Sequence, residues 1–171
     1  GHNANLLLNF PINLDGKIPA LDSIRALEWY NVISNDLKEN VLKEAKVNVD
    51  SERGSKFKAE NVTDDDWNTY WATEDDYNFG TISFTFDNPV KMNRVVLQEY
   101  IPLGQRVSDF SMEGELNGKW FKINAFDTLS TIGYKRIVRF NTVELDKLII
   151  YFEESRGPLC INNIEAYCAP V

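Results

Sequence analysis

Asp64, Asp66 and Thr69 bring three oxygen-bearing side chains into six consecutive residues, the kind of donor set that a hard cation such as calcium requires. The same run also reads as an acidic turn facing solvent, the usual fate of clustered charge. Asp64, Asp66, Asn68 and Asp75 fall at positions 1, 3, 5 and 12 of an EF-hand loop. The sixth position must be glycine to make the sharp turn, and here it is Thr69, while the flanks read as strands instead of helices. An EF-hand is therefore excluded. Asn61-Val62-Thr63 spells a glycosylation acceptor, which has meaning only in a eukaryotic secretory pathway and reads as a chance match.

Little else in the chain points to catalysis. His2 is the single histidine, so a histidine-based triad and a multi-histidine zinc site are both excluded. Cys160 has no histidine base and reads as a small core or loop residue. Cys160 and Cys168 flank the apolar stretch 161–167. A strand rising about 3.3 Å per residue holds its ends well beyond the roughly 7 Å Cα limit of a disulfide, so two free thiols are expected. No glycine-rich loop is present to cradle phosphate. The net charge of −8, with scattered basic residues, would repel nucleic acid and anionic lipid. No apolar run approaches the roughly 20 residues of a membrane-spanning helix. Neither nucleic acid nor membrane is expected as a partner, whereas a neutral glycan is indifferent to net charge.

The elements that would position these residues change character near residue 43. Residues 5–10 (NLLLNF) form a short apolar run of the type buried on both faces, followed by Pro11 and an Asp15-Gly16 turn. A helical pattern then starts near an Asp22 N-cap, with Ala26, Tyr30, Ile33, Leu37 and Val41 along one face, which is expected to be buried. From residue 44 onward the period is two, and strands are expected at 46–49, 81–86, 94–101, 110–116, 119–125, 134–140, 147–152 and 161–167. Asp87-Asn88-Pro89, Asn117-Gly118 and Arg156-Gly157-Pro158 supply turn signals between them. The fold class is all-β, a sandwich of about eight antiparallel strands preceded by one short strand and one helix.

Residues 5–16 (NLLLNFPINLDG) resemble the last barrel strand and following loop of the family-29 glycoside hydrolases, the α-L-fucosidases. Residues 95–107 (VVLQEYIPLGQRV) and 131–140 (TIGYKRIVRF) look like the distal part of the same family. Residues 59–73 (AENVTDDDWNTYWAT) are similar to the opening signature of the discoidin, or coagulation factor 5/8 C-type, domain, whose fold is shared by family-32 carbohydrate-binding modules. The resemblance implies a discoidin-like jelly roll over 44–171 and a remnant of an α/β catalytic barrel over 1–43; Gly1-His2 reads, from the sequence itself, as a cloning scar. The apolar strand at 5–10, having lost the partners of its buried faces, is then expected to be displaced or disordered.

A retaining glycosidase holds two carboxyl groups about 5 Å apart, and in this family both belong to the barrel ahead of Asn5. The resemblance thus implies a non-catalytic C-terminal part of a secreted or periplasmic α-L-fucosidase, with the missing barrel of the same chain as its partner. It also implies a structural cation site, calcium or sodium, at Asn61, Asp64, Asp66 and Thr69. Asn162 and Asn163 would complete that site where the family carries a backbone oxygen and a glutamate. Asn163 removes the glutamate's charge and weakens such a site.

Glu99, Gln105 and Arg106 in one loop and Arg156 in another resemble ligand loops of the family-32 modules, with Tyr77 and Tyr100 as the aromatic platform. Against this, Glu99 and Arg106 could pair with each other, Tyr100 could be core, and Arg156 could dock on the barrel. The leading expectation is a domain that braces the barrel. The alternative is an independent module recognising galactose- or fucose-containing glycans.

Overall fold

Alternating apolar residues build an antiparallel sheet of seven strands, described over residues 6–170 of this computed structural model. In chain order these are β1 Lys46–Val49, β2 Trp71–Ala72, β3 Gly80–Glu99, β4 Val107–Leu116, β5 Lys119–Lys122, β6 Arg136–Ser155 and β7 Cys160–Tyr167. The two longest, β3 and β6, run for 20 residues each and change partners midway. Residues 80–85 of β3 pair with 147–152 of β6, with β1 on the outer side of β3 and β4 then β5 beyond β6. Residues 94–97 of β3 pair instead with 136–139 of β6 and with β7, which carries β2 at its far edge. The long strands thus contribute to both layers of a sandwich. Ile82, Phe84 and Phe152 from one layer and Val95, Leu97, Ile161 and Ile164 from the other share a single core with Trp71 and Phe110.

The all-β, discoidin-like fold stands, but with seven strands in place of eight. The runs at 81–86 and 94–101 belong to one strand, as do those at 134–140 and 147–152. Asp87-Asn88-Pro89 is no turn: it lies at a register shift between Thr85 and Val90, where a residue without an N–H is tolerated because the ladder is already interrupted. β2 went unanticipated because two residues are too short for any period to show. Asn117 and Gly118 do make the expected hairpin between β4 and β5, both at positive φ (53° and 76°), as the twist of a two-residue turn demands.

The helical pattern forms α1, Ala20–Asp36. It starts behind Pro19 with no side-chain cap, so Asp22 sits in the first turn instead of capping it, and it ends before Val41. The face expected to be buried is not, since no residue of α1 is buried. Its apolar side chains have no strand packed over them, and Leu21, Ile24, Leu27, Trp29 and Tyr30 are all exposed. Residues 6–10 form neither helix nor strand and are likewise exposed; Asn5, Gly1 and His2 lie outside the described residues. Packing of the sandwich begins at a 3-10 turn, Val41–Glu44, whose Asn40 cap also accepts a hydrogen bond from the Ala166 N–H of β7. Leu42 on that turn is fully buried in the core. Among the described residues no helix is long and apolar enough to cross a membrane.

Candidate functional site

Two groups of expected site residues lie among the loops, and β3 and β7 position both. The acidic loop at 64–69 leads into β2 and lies against the start of β7. Asp64 accepts from the Asp66 N–H (2.9 Å) and from the Thr69 hydroxyl (2.7 Å). Asp66 accepts from the backbone and side-chain nitrogens of Asn68, both at 2.9 Å. Asp65, at φ 60°, turns the other way to pair with Lys43 at 2.6 Å, an interaction that holds the lysine pKa above its ordinary value. Buried Asn61 donates to the carbonyls of Lys56 and Tyr70 (2.9 and 3.0 Å), and Asn163 donates to the Gln98 side chain (3.0 Å). Asn162 is buried, and its amide nitrogen faces three loop carbonyls: Thr69 at 2.7 Å, Trp67 at 3.3 Å and Asp66 at 3.5 Å. Three of the six residues expected around a cation, Asp66, Asn162 and Asn163, line a hollow of about 60 Å³ together with Asp65, Trp67 and Glu165, whereas Asn61, Asp64 and Thr69 do not.

The second group surrounds Glu99, the last residue of β3. Glu99 is only 4% exposed and its carboxylate accepts three backbone N–H bonds, from Arg106 (2.7 Å), Val107 (2.9 Å) and Gly133 (2.6 Å). The carboxylate faces inward, toward these backbone groups. The half-buried Arg106 donates to the carbonyls of Pro158 (2.8 Å) and Leu103 (3.3 Å) and lies 3.4 Å from the sulfur of Cys160. Burial pushes the Cys160 thiol above its usual pKa, with the Arg106 charge opposing. Cys160 and Cys168 are both free, as expected. Tyr100 stacks on Tyr70 with ring centroids 4.2 Å apart, so one of its faces is covered. Gln105 and Arg156 are exposed, and Arg156 meets Arg106 only through the backbone, donating its N–H to the Arg106 carbonyl at 3.0 Å. Tyr77 is exposed and tilts against Phe79 at 5.7 Å.

An exposed aromatic pair escaped the sequence reading. Trp67 and Tyr134 lie nearly parallel, 21° apart with centroids at 6.5 Å, and the Lys135 ammonium sits 6.0 Å from the indole centre. Both rings are more than half exposed. The available signal was an indole in the middle of an acidic loop, where no core period accounts for it.

The model of the F5/8 type C domain family matches residues 46–160. Alpha-L-fucosidase 1 of Arabidopsis thaliana is 32% identical over 98% of this chain and 34% of its own length. A GH29 fucosidase of Ruminococcus gnavus, solved in complex with fucose, superposes with a TM-score of 0.87 at 30% identity, over 99% of this chain and 34% of that one. The chain thus spans about a third of the length of the relatives it matches. The family 32 CBM of C. perfringens NanJ, solved in complex with galactose, superposes with a TM-score of 0.65 over 75% of this chain; at 16% identity it speaks for the fold alone.

Proposed function

Because the chain belongs to the F5/8 type C domain family, we propose that it is the non-catalytic C-terminal domain of an α-L-fucosidase and braces the catalytic domain through helix α1. The observation that carries this reading is the apolar exposure of α1. Leu21, Leu27 and Tyr30 are each more than 60% exposed, although the sandwich beside them closes its own core. A helix with apolar side chains on this scale is stable in water only when something covers it. The covering partner is the remaining two-thirds of a fucosidase-like chain, the part of the relatives that lies outside the region matched here.

Hydrogen exchange tests the proposal. In the longer protein the amides of α1 should exchange at least about tenfold more slowly than in this chain alone, as a helix gaining tertiary cover does. Equal exchange in the two would remove the bracing role. Hydrolysis of a nitrophenyl fucoside by the longer protein and not by this chain is the accompanying expectation.

A second reading, glycan recognition, is favoured by the Trp67 and Tyr134 pair, since exposed rings are what the apolar face of a pyranose stacks upon. Calorimetric titration with galactose and with fucose tests it. Binding that disappears in Trp67→Ala supports the reading, and no heat with either sugar removes it.

A further inference from the structure

We infer that the Asn162 carboxamide occupies the position from which a cation would otherwise gather the 64–69 loop, so that this loop folds without a metal ion. The argument starts from three backbone carbonyl oxygens, of Asp66, Trp67 and Thr69, that converge on one buried atom. Carbonyl oxygens carry partial negative charge and repel one another, so their convergence requires a positive centre. Here the two hydrogens of Asn162 Nδ2 supply it: the 2.7 Å bond to Thr69 takes one, and the longer contacts to Trp67 and Asp66 share the other. With no ion between them, three acceptors call for the amide nitrogen, since the oxygen in that place would meet repulsion.

The remaining donors point the same way. Calcium binds six to eight oxygens at about 2.3–2.6 Å and draws its affinity from ligand charge. The carboxylates of Asp64 and Asp66 are closed on their own loop, Asp65 is paired with Lys43, and Asn163 is bonded to Gln98. An ion placed among the three carbonyls at bonding distance would overlap the amide nitrogen. The loop is thus a cation-type receptor closed by a neutral donor.

Thermal unfolding of the chain in EDTA and in about 10 mM calcium, at constant ionic strength, tests this directly. The midpoint is expected to stay within about 1 °C. A calcium site with a Kd on the order of 10⁻⁴ M would raise the midpoint by roughly 5–10 °C at that concentration, and such a rise would overturn the inference. Asn162→Asp supplies the opposite arm by setting a carboxylate against the three carbonyls. It should lower the midpoint by roughly 5 °C in EDTA and recover most of that in calcium, with one ion bound per chain by calorimetry. Unchanged stability of Asn162→Asp in EDTA would show that the amide is not the centre of the loop. Should that variant fail to fold, calorimetry of the unaltered chain decides: no saturable calcium binding upholds the inference, and a Kd below about 1 mM defeats it.

Discussion

Glu99 and Asn162 are complements of each other: one is a buried carboxylate among three backbone N–H donors, the other a buried amide nitrogen among three backbone carbonyls. Glu99 ends the 20-residue β3 and Asn162 lies near the start of β7, and each ties down the loops around it. Both also belong to the sets that resemblance marks as ligand-binding. The comparison teaches that a polar side chain on a loop-bearing strand end is not thereby a ligand residue. When it is buried, its partners are the backbone groups that the loops cannot satisfy by themselves. The two sites should nevertheless differ in magnitude, because hydrogen bonds to a full charge are stronger than those from a neutral amide.

Replacing Glu99 should therefore have the largest effect. Glu99→Ala leaves three buried N–H groups without an acceptor and is expected to destabilise by about 4 kcal/mol, lowering the melting midpoint on the order of 10 °C. Glu99→Gln keeps the shape but turns an NH₂ toward N–H donors, and should recover less than half of that loss. A Glu99→Ala midpoint within 3 °C or so of the unaltered chain would mean that the carboxylate is available for other work, and the comparison would fail.

Asn162→Ala comes next, at about 2 kcal/mol in EDTA, because one neutral donor group is lost and the loop carbonyls can turn to water. A loss larger than that of Glu99→Ala would invert the comparison. Arg106→Ala should cost about 1–2 kcal/mol by releasing the carbonyls of Pro158 and Leu103. Thiol labelling sharpens the same point with no mutation. Exposed Cys168 should react at least about tenfold faster than Cys160, which is buried beside Arg106 and whose pKa is raised by that burial.

The architecture was readable wherever a period ran long enough to be seen. Ile82, Phe84 and Phe86, or Leu148, Ile150 and Phe152, announce their strands because alternate residues must reach the core. The continuity of β3 through Asp87-Asn88-Pro89 was hidden, since a proline-bearing bulge and a proline-bearing turn look alike in sequence. The exposure of α1 was hidden for another reason: an apolar stripe says that a face will be covered and does not say by what. Least readable were the polar partners. Glu99 reaches an N–H that is 34 residues away, and Asn162 reaches carbonyls 93 to 96 residues back. Such pairings leave no local pattern, because it is the sheet that brings them together.

Arg156→Ala is expected to have the smallest effect, and it marks where the comparison stops applying. Arg156 is exposed, and it is joined to Arg106 through its backbone N–H, which the substitution leaves in place. Its replacement should change stability by no more than about 0.5 kcal/mol, a midpoint shift within roughly 2 °C. It can therefore be read cleanly in a binding experiment, where Glu99→Ala and Arg106→Ala would confuse lost recognition with lost structure. If Arg156→Ala weakens sugar binding at unchanged stability, the loop after β6 carries a ligand contact and the resemblance to glycan-binding loops holds at that residue alone. If binding survives Arg156→Ala and is lost in Trp67→Ala, recognition belongs to the exposed aromatic pair, and the polar set around Glu99 is structural throughout.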